Sequence, residues 1–302
     1  MTASVNSQPY RALAAVREAA PLVWQPLPGA FGASCTNLDL RGEMAPHVEA
    51  ALFDAFKRHH VLSIRGGGLE NDDLRRFAER FGEVEQHNIM KADGQRMEAV
   101  HLITNFDASG KPSARPFINS NYYWHSDKSY LATPSLTTML YAVELPPGGG
   151  GDTQFADMTA AYASLPEETK REIAGLRVVQ SLTYMRDSLG DRAPTAEERQ
   201  AAPPVEQPLV RTHPETGVKS LYMGMYCSHI LGMAPDASRA LLDELLAHAT
   251  QPQFVLTYHW SLGDLVLWDN RCLMHRAVAN YEMTAHRRVL KRVCVKGTDR
   301  PR

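Results

Sequence analysis

Two short stretches, far apart in the chain, limit what it can fold into. His125 and Asp127 sit in Asn121-Tyr122-Tyr123-Trp124-His125-Ser126-Asp127, and His275 lies about 150 positions later in Trp268-Asp269-Asn270-Arg271-Cys272-Leu273-Met274-His275-Arg276-Ala277. Two imidazoles and one carboxylate form the ligand set of a mononuclear non-haem Fe(II) oxygenase centre, which leaves three metal positions open for cosubstrate and oxygen. If one ion is to be shared, the middle of the chain must fold back against its C-terminal part. In a β-strand, side chains at i and i+2 leave the same face. An extended segment would therefore aim His125 and Asp127 together and turn Ser126 away, and the flanking Tyr122, Tyr123, Trp124 and Tyr130 favour strand.

Two other His-x-Glu pairs fit metal binding poorly. His47-Val48-Glu49 falls in Pro46 to Arg58, which has helical periodicity through Val48, Ala51, Leu52 and Phe56. Positions i and i+2 do not face each other on a helix. His213-Pro214-Glu215 belongs to Arg211-Thr212-His213-Pro214-Glu215-Thr216-Gly217, a turn between two short strands. Both pairs are expected to be solvated surface.

Strand patterns fall into two groups. His60 to Arg65 alternates and ends at three glycines; Glu98 to Ile103 and Leu136 to Leu145 follow. Phe254 to Trp260, Asp264 to Trp268 and Arg287 to Val295 form the late group, with a turn at Ser261-Leu262-Gly263. Helices are expected at Asn71 to Phe81, capped by Asn71 and ended by Gly82, and at Asp236 to Thr250. Ser164-Leu165-Pro166-Glu167 has the capping-box pattern for a helix to Ala174. Asp187 to Pro208 is charged and Pro-rich, an exposed excursion. Phe106 to Ser120 is polar and precedes the ligand motif, as a lid would. The candidate ligands come from both strand groups, which a closed or sandwiched antiparallel β core would unite. A single domain over 1–302 is expected, with a helical and loop insert at about 156–250, because a division midway would split the metal site.

Composition narrows the class of partner. Hydrophobic content of 44% and charged content of 22% are those of a globular protein, and a net charge of −2 gives no electrostatic reason to expect nucleic acid or an anionic membrane. No apolar run approaches the roughly 20 residues that cross a bilayer, and Met1 to Tyr10 is polar, without a signal-peptide core. Cys35, Cys227, Cys272 and Cys294 are scattered, with no Cys-x-x-Cys, so a reducing cytoplasm is the expected location. Cys272, near His275, is expected to be a small buried apolar residue. Homo-oligomerisation is left open.

The chain resembles the Fe(II)/2-oxoglutarate dioxygenases of the taurine dioxygenase and 2,4-dichlorophenoxyacetate dioxygenase type. The likeness runs from about His60 to Gly297. It is densest in Asn121 to Tyr130, Gly150 to Ala161, Leu209 to Tyr222 and Gly263 to Ala277. Phe155-Ala156-Asp157-Met158 and Leu209-Val210-Arg211-Thr212-His213-Pro214 match the phenoxyacetate enzymes better. The resemblance implies a mainly β fold with flanking helices, a double-stranded β-helix (jelly roll) with inserted helices. His125, Asp127 and His275 match the iron ligands, and Thr153 matches a threonine that bonds 2-oxoglutarate. Arg288 and Arg292 match an arginine pair. Arg288 would hold the distal carboxylate of the cosubstrate, with Arg287 as the competing assignment, and Arg292 would lie near the proximal carboxylate and the substrate's anion.

Strand geometry agrees with that pairing. Four residues span about 13 Å and leave both side chains on one face, with Arg287 and Lys291 turned the other way, toward solvent. An alternating basic edge strand is the plainer alternative for the same pattern. His87 and Asn121 match substrate-side residues of taurine dioxygenase, and Ile89, Tyr122 and Tyr123 would add apolar contacts.

The implied reaction consumes O2 and 2-oxoglutarate, releases succinate and CO2, and hydroxylates a small organic anion, an aryloxyalkanoate or aromatic carboxylate first and an alkylsulfonate second. Because Asp127 supplies the carboxylate that a halogenating relative lacks, hydroxylation is expected. Two other classes use the same residues: a zinc hydrolase, for which no general base is placed, and a non-catalytic jelly-roll binding protein.

Overall fold

In this computed structural model, which describes residues 20–86, 98–107, 109–112 and 120–302, the chain opens with β1 (Trp24–Pro26), β2 (Ala33–Cys35), helix α1 (Pro46–His59), β3 (Val61–Arg65) and helix α2 (Asn71–Glu79). Pro46 suits the first turn of α1, where a missing N–H costs nothing, and Lys57, Arg58 and His59 lie at the end where the helix dipole favours cations. His60 follows in the left-handed region (φ 62°) and turns the chain into β3. The cap of α2 is Glu70 rather than Asn71. Glu70 accepts from the N3 amide while the Asp73 carboxylate reaches back to the Glu70 N–H, so Asn71 is already inside the helix.

Next come β4 (His101–Thr104), β5 (Ser135–Glu144) and β6 (Thr153–Asp157), then helices α3 (Met158–Ser164) and α4 (Glu167–Ile173), β7 (Arg177–Gln180), α5 (Leu182–Leu189) and α6 (Ala196–Ala201). Ser164 does not cap α4. Its hydroxyl donates to the Ala161 carbonyl 2.9 Å away, closing α3, and α4 starts without a side-chain cap. A complete capping box stands instead at Thr195 and Glu198, inside the segment expected to be an exposed excursion. That segment also supplies β8 (Val205–Pro208), which pairs with β7. The chain finishes with β9 (Val210–Thr212), β10 (Lys219–Leu221), β11 (Cys227–Ile230), α7 (Pro235–Ala249), β12 (Val255–Tyr258), β13 (Asp264–Asp269), β14 (Leu273–Ala277) and β15 (Val289–Lys296).

The architecture is mainly sheet with flanking helices. Seven strands hydrogen-bond in the order β1-β2-β3-β13-β5-β15-β4, antiparallel except for β2 with β3, and β12-β6-β14 form a smaller antiparallel sheet. Period-2 alternation explains why the central strands read as nearly continuous apolar runs. Leu62 and Ile64, Met139 and Tyr141, Leu265 and Leu267, and Val293 and Val295 pack with Leu52, Phe56, Leu74 and Phe77 of α1 and α2. Their neighbours Val61, Leu140, Ala142, Val266, Trp268 and Leu290 pack instead with Phe155 and Leu256 of the smaller sheet. Both faces of the large sheet are thus covered. The inserted elements pack their own cluster around Ile173, Leu209, Leu242 and Leu245. Among the described residues no helix is long and apolar enough to cross a membrane.

Candidate active site

The three expected ligands meet, but not by the geometry read from the sequence. His125 lies outside the regular strands and forms an isolated bridge with His275 of β14. The two exchange main-chain bonds, His125 N–H to the His275 carbonyl at 3.1 Å and His275 N–H to the His125 carbonyl at 2.8 Å. Asp127 begins a turn, and Tyr122 ends a 3-10 turn over Ser120–Tyr122, so the aromatic flank is not a strand. Each imidazole Nε2 lies 3.7 Å from a different Asp127 oxygen, and one donor atom from each residue fits within 4.8 Å of the others. All three side chains are buried.

Gly224 permits this crossing. It adopts φ +137°, and a Cβ there would stand 2.8 Å from the Trp124 carbonyl and 3.2 Å from the His125 Cα.

Electrostatics leaves the donors in the form a cation needs. Burial lowers the pKa of His125 and, further still, that of His275, so both rings are neutral. His125 Nδ1 sits 2.6 Å from the Tyr123 carbonyl, which only accepts; the proton is therefore on Nδ1 and the Nε2 lone pair is free. Burial by itself would raise the Asp127 pKa. The Arg292 guanidinium, helped by the Thr138 hydroxyl, outweighs it and holds the carboxyl well below the usual carboxylate range. Thr138 donates to Asp127 Oδ2 at 2.5 Å and accepts from Asn270 Nδ2 at 3.1 Å, while Trp268 Nε1 donates to Asn270 Oδ1 at 3.0 Å. A chain of buried polar side chains thus fixes the carboxylate.

Beside this cluster is a cavity lined by Asn121, Thr153, His275, Arg288, Arg292 and Leu140. Arg288 precedes β15 and is buried; its Nε donates to the Gly151 carbonyl at 2.6 Å and its Nη2 to Thr153 Oγ1 at 3.3 Å. Gly151, at φ +68°, is needed here, because a Cβ would lie 2.6 Å from the Arg288 Cδ. Asn280 ties the same loop down, accepting from Gly151 N–H at 2.7 Å and donating to Asp152 Oδ2 at 2.7 Å. Trp260 Nε1 donates to Thr153 Oγ1 at 3.1 Å.

Arg287 is turned away, paired with Glu144 at 3.2 Å, so Arg288 is the arginine at the cavity. Arg292 shares the cavity, although Arg288 precedes the strand and a register shift at Val289–Leu290 separates the two, and its Nη2 donates to Asp127 Oδ1 at 2.5 Å.

Several expectations are corrected. His213 is buried rather than solvated. Its Nδ1 accepts from the N–H groups of Glu215 and Thr216, and its Nε2 faces Asp269 Oδ2 at 3.1 Å. The tight turn folds the ring inward, where the buried Asp269 carboxylate accepts a hydrogen bond from Nε2–H. His47 is exposed, as expected. Lys291 is mostly covered, its Nζ donating to the Leu69 carbonyl at 2.9 Å. All four cysteines are free and buried. His87, Ile89, positions 108 and 113–119 of the expected lid and the segment Met1 to Tyr10 lie outside the described residues. Thr138, Trp260, Asn270 and Asn280 were not singled out as site residues, although Asn270 lies within the quoted His275 stretch.

A family model described as "Taurine catabolism dioxygenase TauD, TfdA family" matches residues 24–294. The chain is 40% identical over 275 residues to an alpha-ketoglutarate-dependent 2,4-dichlorophenoxyacetate dioxygenase from Burkholderia sp. (strain RASC), covering 88% of this chain and 92% of that protein. It is 32% identical over 271 residues to an (S)-phenoxypropionate/alpha-ketoglutarate-dioxygenase from Sphingobium herbicidovorans, covering 87% and 91%. Among solved structures, AAD-2 in complex with Mn(II) and N-oxalylglycine superposes with a TM-score of 0.81 at 36% identity, covering 93% of this chain and 98% of that one.

Proposed function

The chain belongs to the taurine catabolism dioxygenase TauD, TfdA family, and from that premise we propose that it is an Fe(II)- and 2-oxoglutarate-dependent dioxygenase that hydroxylates a small organic anion, an aryloxyalkanoate before any other. The observation that carries this is the convergence of His125, Asp127 and His275 within 4.8 Å, beside a cavity that presents Thr153, Arg288 and Arg292. The donor set fits the metal: two neutral imidazoles and one carboxylate held ionised. Names of relatives that act on 2,4-dichlorophenoxyacetate and phenoxypropionate support the substrate class.

Fe(II) and 2-oxoglutarate, when bound, would activate O2, one atom of which hydroxylates an unactivated C–H carbon while the other enters succinate as 2-oxoglutarate loses CO2. The protein's part is to hold and orient. His125, Asp127 and His275 would hold the ion on one side. Arg288, stacked near Trp260 and bonded to Thr153, would take the distal carboxylate of 2-oxoglutarate through its planar fork. Arg292 would divide its donors between Asp127 and an incoming carboxylate, which ties the position of the substrate's anion to that of the metal ligand. Asn121, on the same cavity wall, and His87 would contact the substrate. Hydroxylation of a carbon beside an ether oxygen gives a product that falls apart, so an aryloxyalkanoate would leave as a phenol and an oxoacid.

The two-sheet arrangement supports a double-stranded β-helix in a single domain, with the insert at about 156–250. Free buried cysteines support a cytoplasmic location. Purified protein with Fe(II) and 2-oxoglutarate should release succinate with 2,4-dichlorophenoxyacetate or phenoxypropionate and not with taurine, and Asp127→Ala should abolish this. A preference for taurine would move the substrate class to alkylsulfonates, and full turnover by Asp127→Ala would remove Asp127 from the metal.

A further inference from the structure

The Arg-Thr-His-Pro stretch at 211–214 has no part in the site above, yet it carries an unbalanced buried charge. Arg211, on β9, is 5% exposed. Its guanidinium lies 4.6 Å over the Tyr222 ring, and among the described residues no carboxylate, carbonyl or hydroxyl accepts a hydrogen bond from it; Nε is wholly buried without a partner. The neighbouring Arg271 shows how the fold treats a buried guanidinium otherwise: Asp269 takes its Nε and Nη2 at 2.8 and 2.7 Å, and Glu215 takes Nη1. A buried charge left unpaired costs several kcal/mol. Burial accordingly lowers the pKa of Arg211. Stacking on an aromatic face satisfies only the plane of the group and leaves its in-plane N–H fork unused.

Arg211 lines a cavity of about 450 Å³, formed where the β9–β10 hairpin meets the start of β5 and the segment 297–302. The volume is in the range of small-molecule sites. Its wall carries Arg211, Arg271, Arg300 and Arg302 against one acidic side chain, Asp299, and the main-chain oxygen of Arg302, which accepts from Thr212 N–H at 2.6 Å, with Pro134, Leu136 and Pro214 supplying apolar surface. Arg300 and Arg302 are exposed. None of these residues lines the cavity beside His275.

We propose that this cavity is a second anion site, which takes a small organic anion whose oxyanion head pairs with the fork of Arg211 while its body lies against Pro134, Leu136 and Pro214. The head completes the coordination that the fold leaves open, and Arg300 and Arg302 guard the mouth.

The test uses the full chain loaded with Mn(II) and N-oxalylglycine, so that the arginines beside the metal are already engaged. Calorimetric titration with inorganic phosphate, and then with phenyl phosphate, should show saturable one-to-one binding, tighter for the phenyl ester. Arg211→Gln should weaken both by about tenfold or more, the worth of a charge-assisted bond. The double variant Arg300→Ser/Arg302→Ser should weaken them by a smaller factor, about threefold, as exposed charges do. Absence of saturable binding, or unchanged affinity in Arg211→Gln, would overturn the proposal. Should Arg211→Gln not fold, the double variant decides, because its side chains are exposed; unchanged affinity there overturns the proposal equally.

Discussion

Replacing Arg288 by Lys tests the cosubstrate side of the site most directly, because it keeps the charge and removes the fork. Arg288 now spends Nε on the Gly151 carbonyl and points Nη2 at Thr153. A lysine offers one point of charge, so one charge-assisted bond to the distal carboxylate is lost, worth about 1.5–3 kcal/mol. At about 1.4 kcal/mol per decade, the dissociation constant rises roughly ten- to a hundredfold. The Gly151 carbonyl also loses its donor, which costs about 1–3 kcal/mol of stability. Calorimetric binding of N-oxalylglycine to the Mn(II)-loaded protein measures the first effect, and thermal denaturation the second. Arg287→Lys is the control: its partner Glu144 is exposed, and the pair is worth little. Affinity within about twofold of the parent in Arg288→Lys, or a larger loss in Arg287→Lys, would refute the assignment.

Three further outcomes are expected. Arg292→Ala should raise the KM for the organic substrate more than that for 2-oxoglutarate, and should also weaken metal binding, since Asp127 loses a donor; equal loss for both small molecules would mean that the arginine roles are wrongly divided. Gly224→Ala must move the Trp124–His125 backbone or leave the φ +137° conformation, and metal affinity measured by Mn(II) titration should fall while the fold persists; unaltered affinity would show that the crossing yields without consequence. Asp269, which burial alone would push up, is held well below the ordinary carboxylate range by hydrogen bonds from His213 and Arg271. Its contribution is therefore complete above about pH 4, the unfolded carboxylate value, and is lost as pH falls further. Asp269→Asn should be less stable at neutral pH, with a thermal midpoint that declines less steeply below pH 4 than the parent's; parallel profiles would exclude this linkage.

What could be read from the sequence followed the length scale of each interaction. The strands expected at His60 to Arg65 and Asp264 to Trp268 were visible as short apolar runs, and Arg288 and Arg292 both reach the cavity although a register shift at Val289–Leu290 interrupts the period used to pair them. The His125 and Asp127 pair was identified on a strand argument, although a bridge and a turn bring the two together. The polar supports were hidden for a different reason. Thr138 and Asn270 are 132 positions apart, and Trp260 and Thr153 are 107 apart, so no local pattern joins them. His213 was misjudged because a polar turn usually faces water, whereas here Asp269 draws the ring inward.

The reciprocal main-chain bonds between His125 and His275 carry one more implication. Because the skeleton, not the side chains around it, sets the separation of the two nitrogen donors, the anchorage is insulated from changes in the surrounding walls. Asn121, Ile103 and Leu140 line the cavity without sharing in those main-chain bonds. A scaffold built this way lends itself to diversification: new compounds are accommodated by re-cutting the chamber, while the oxidising centre is inherited intact.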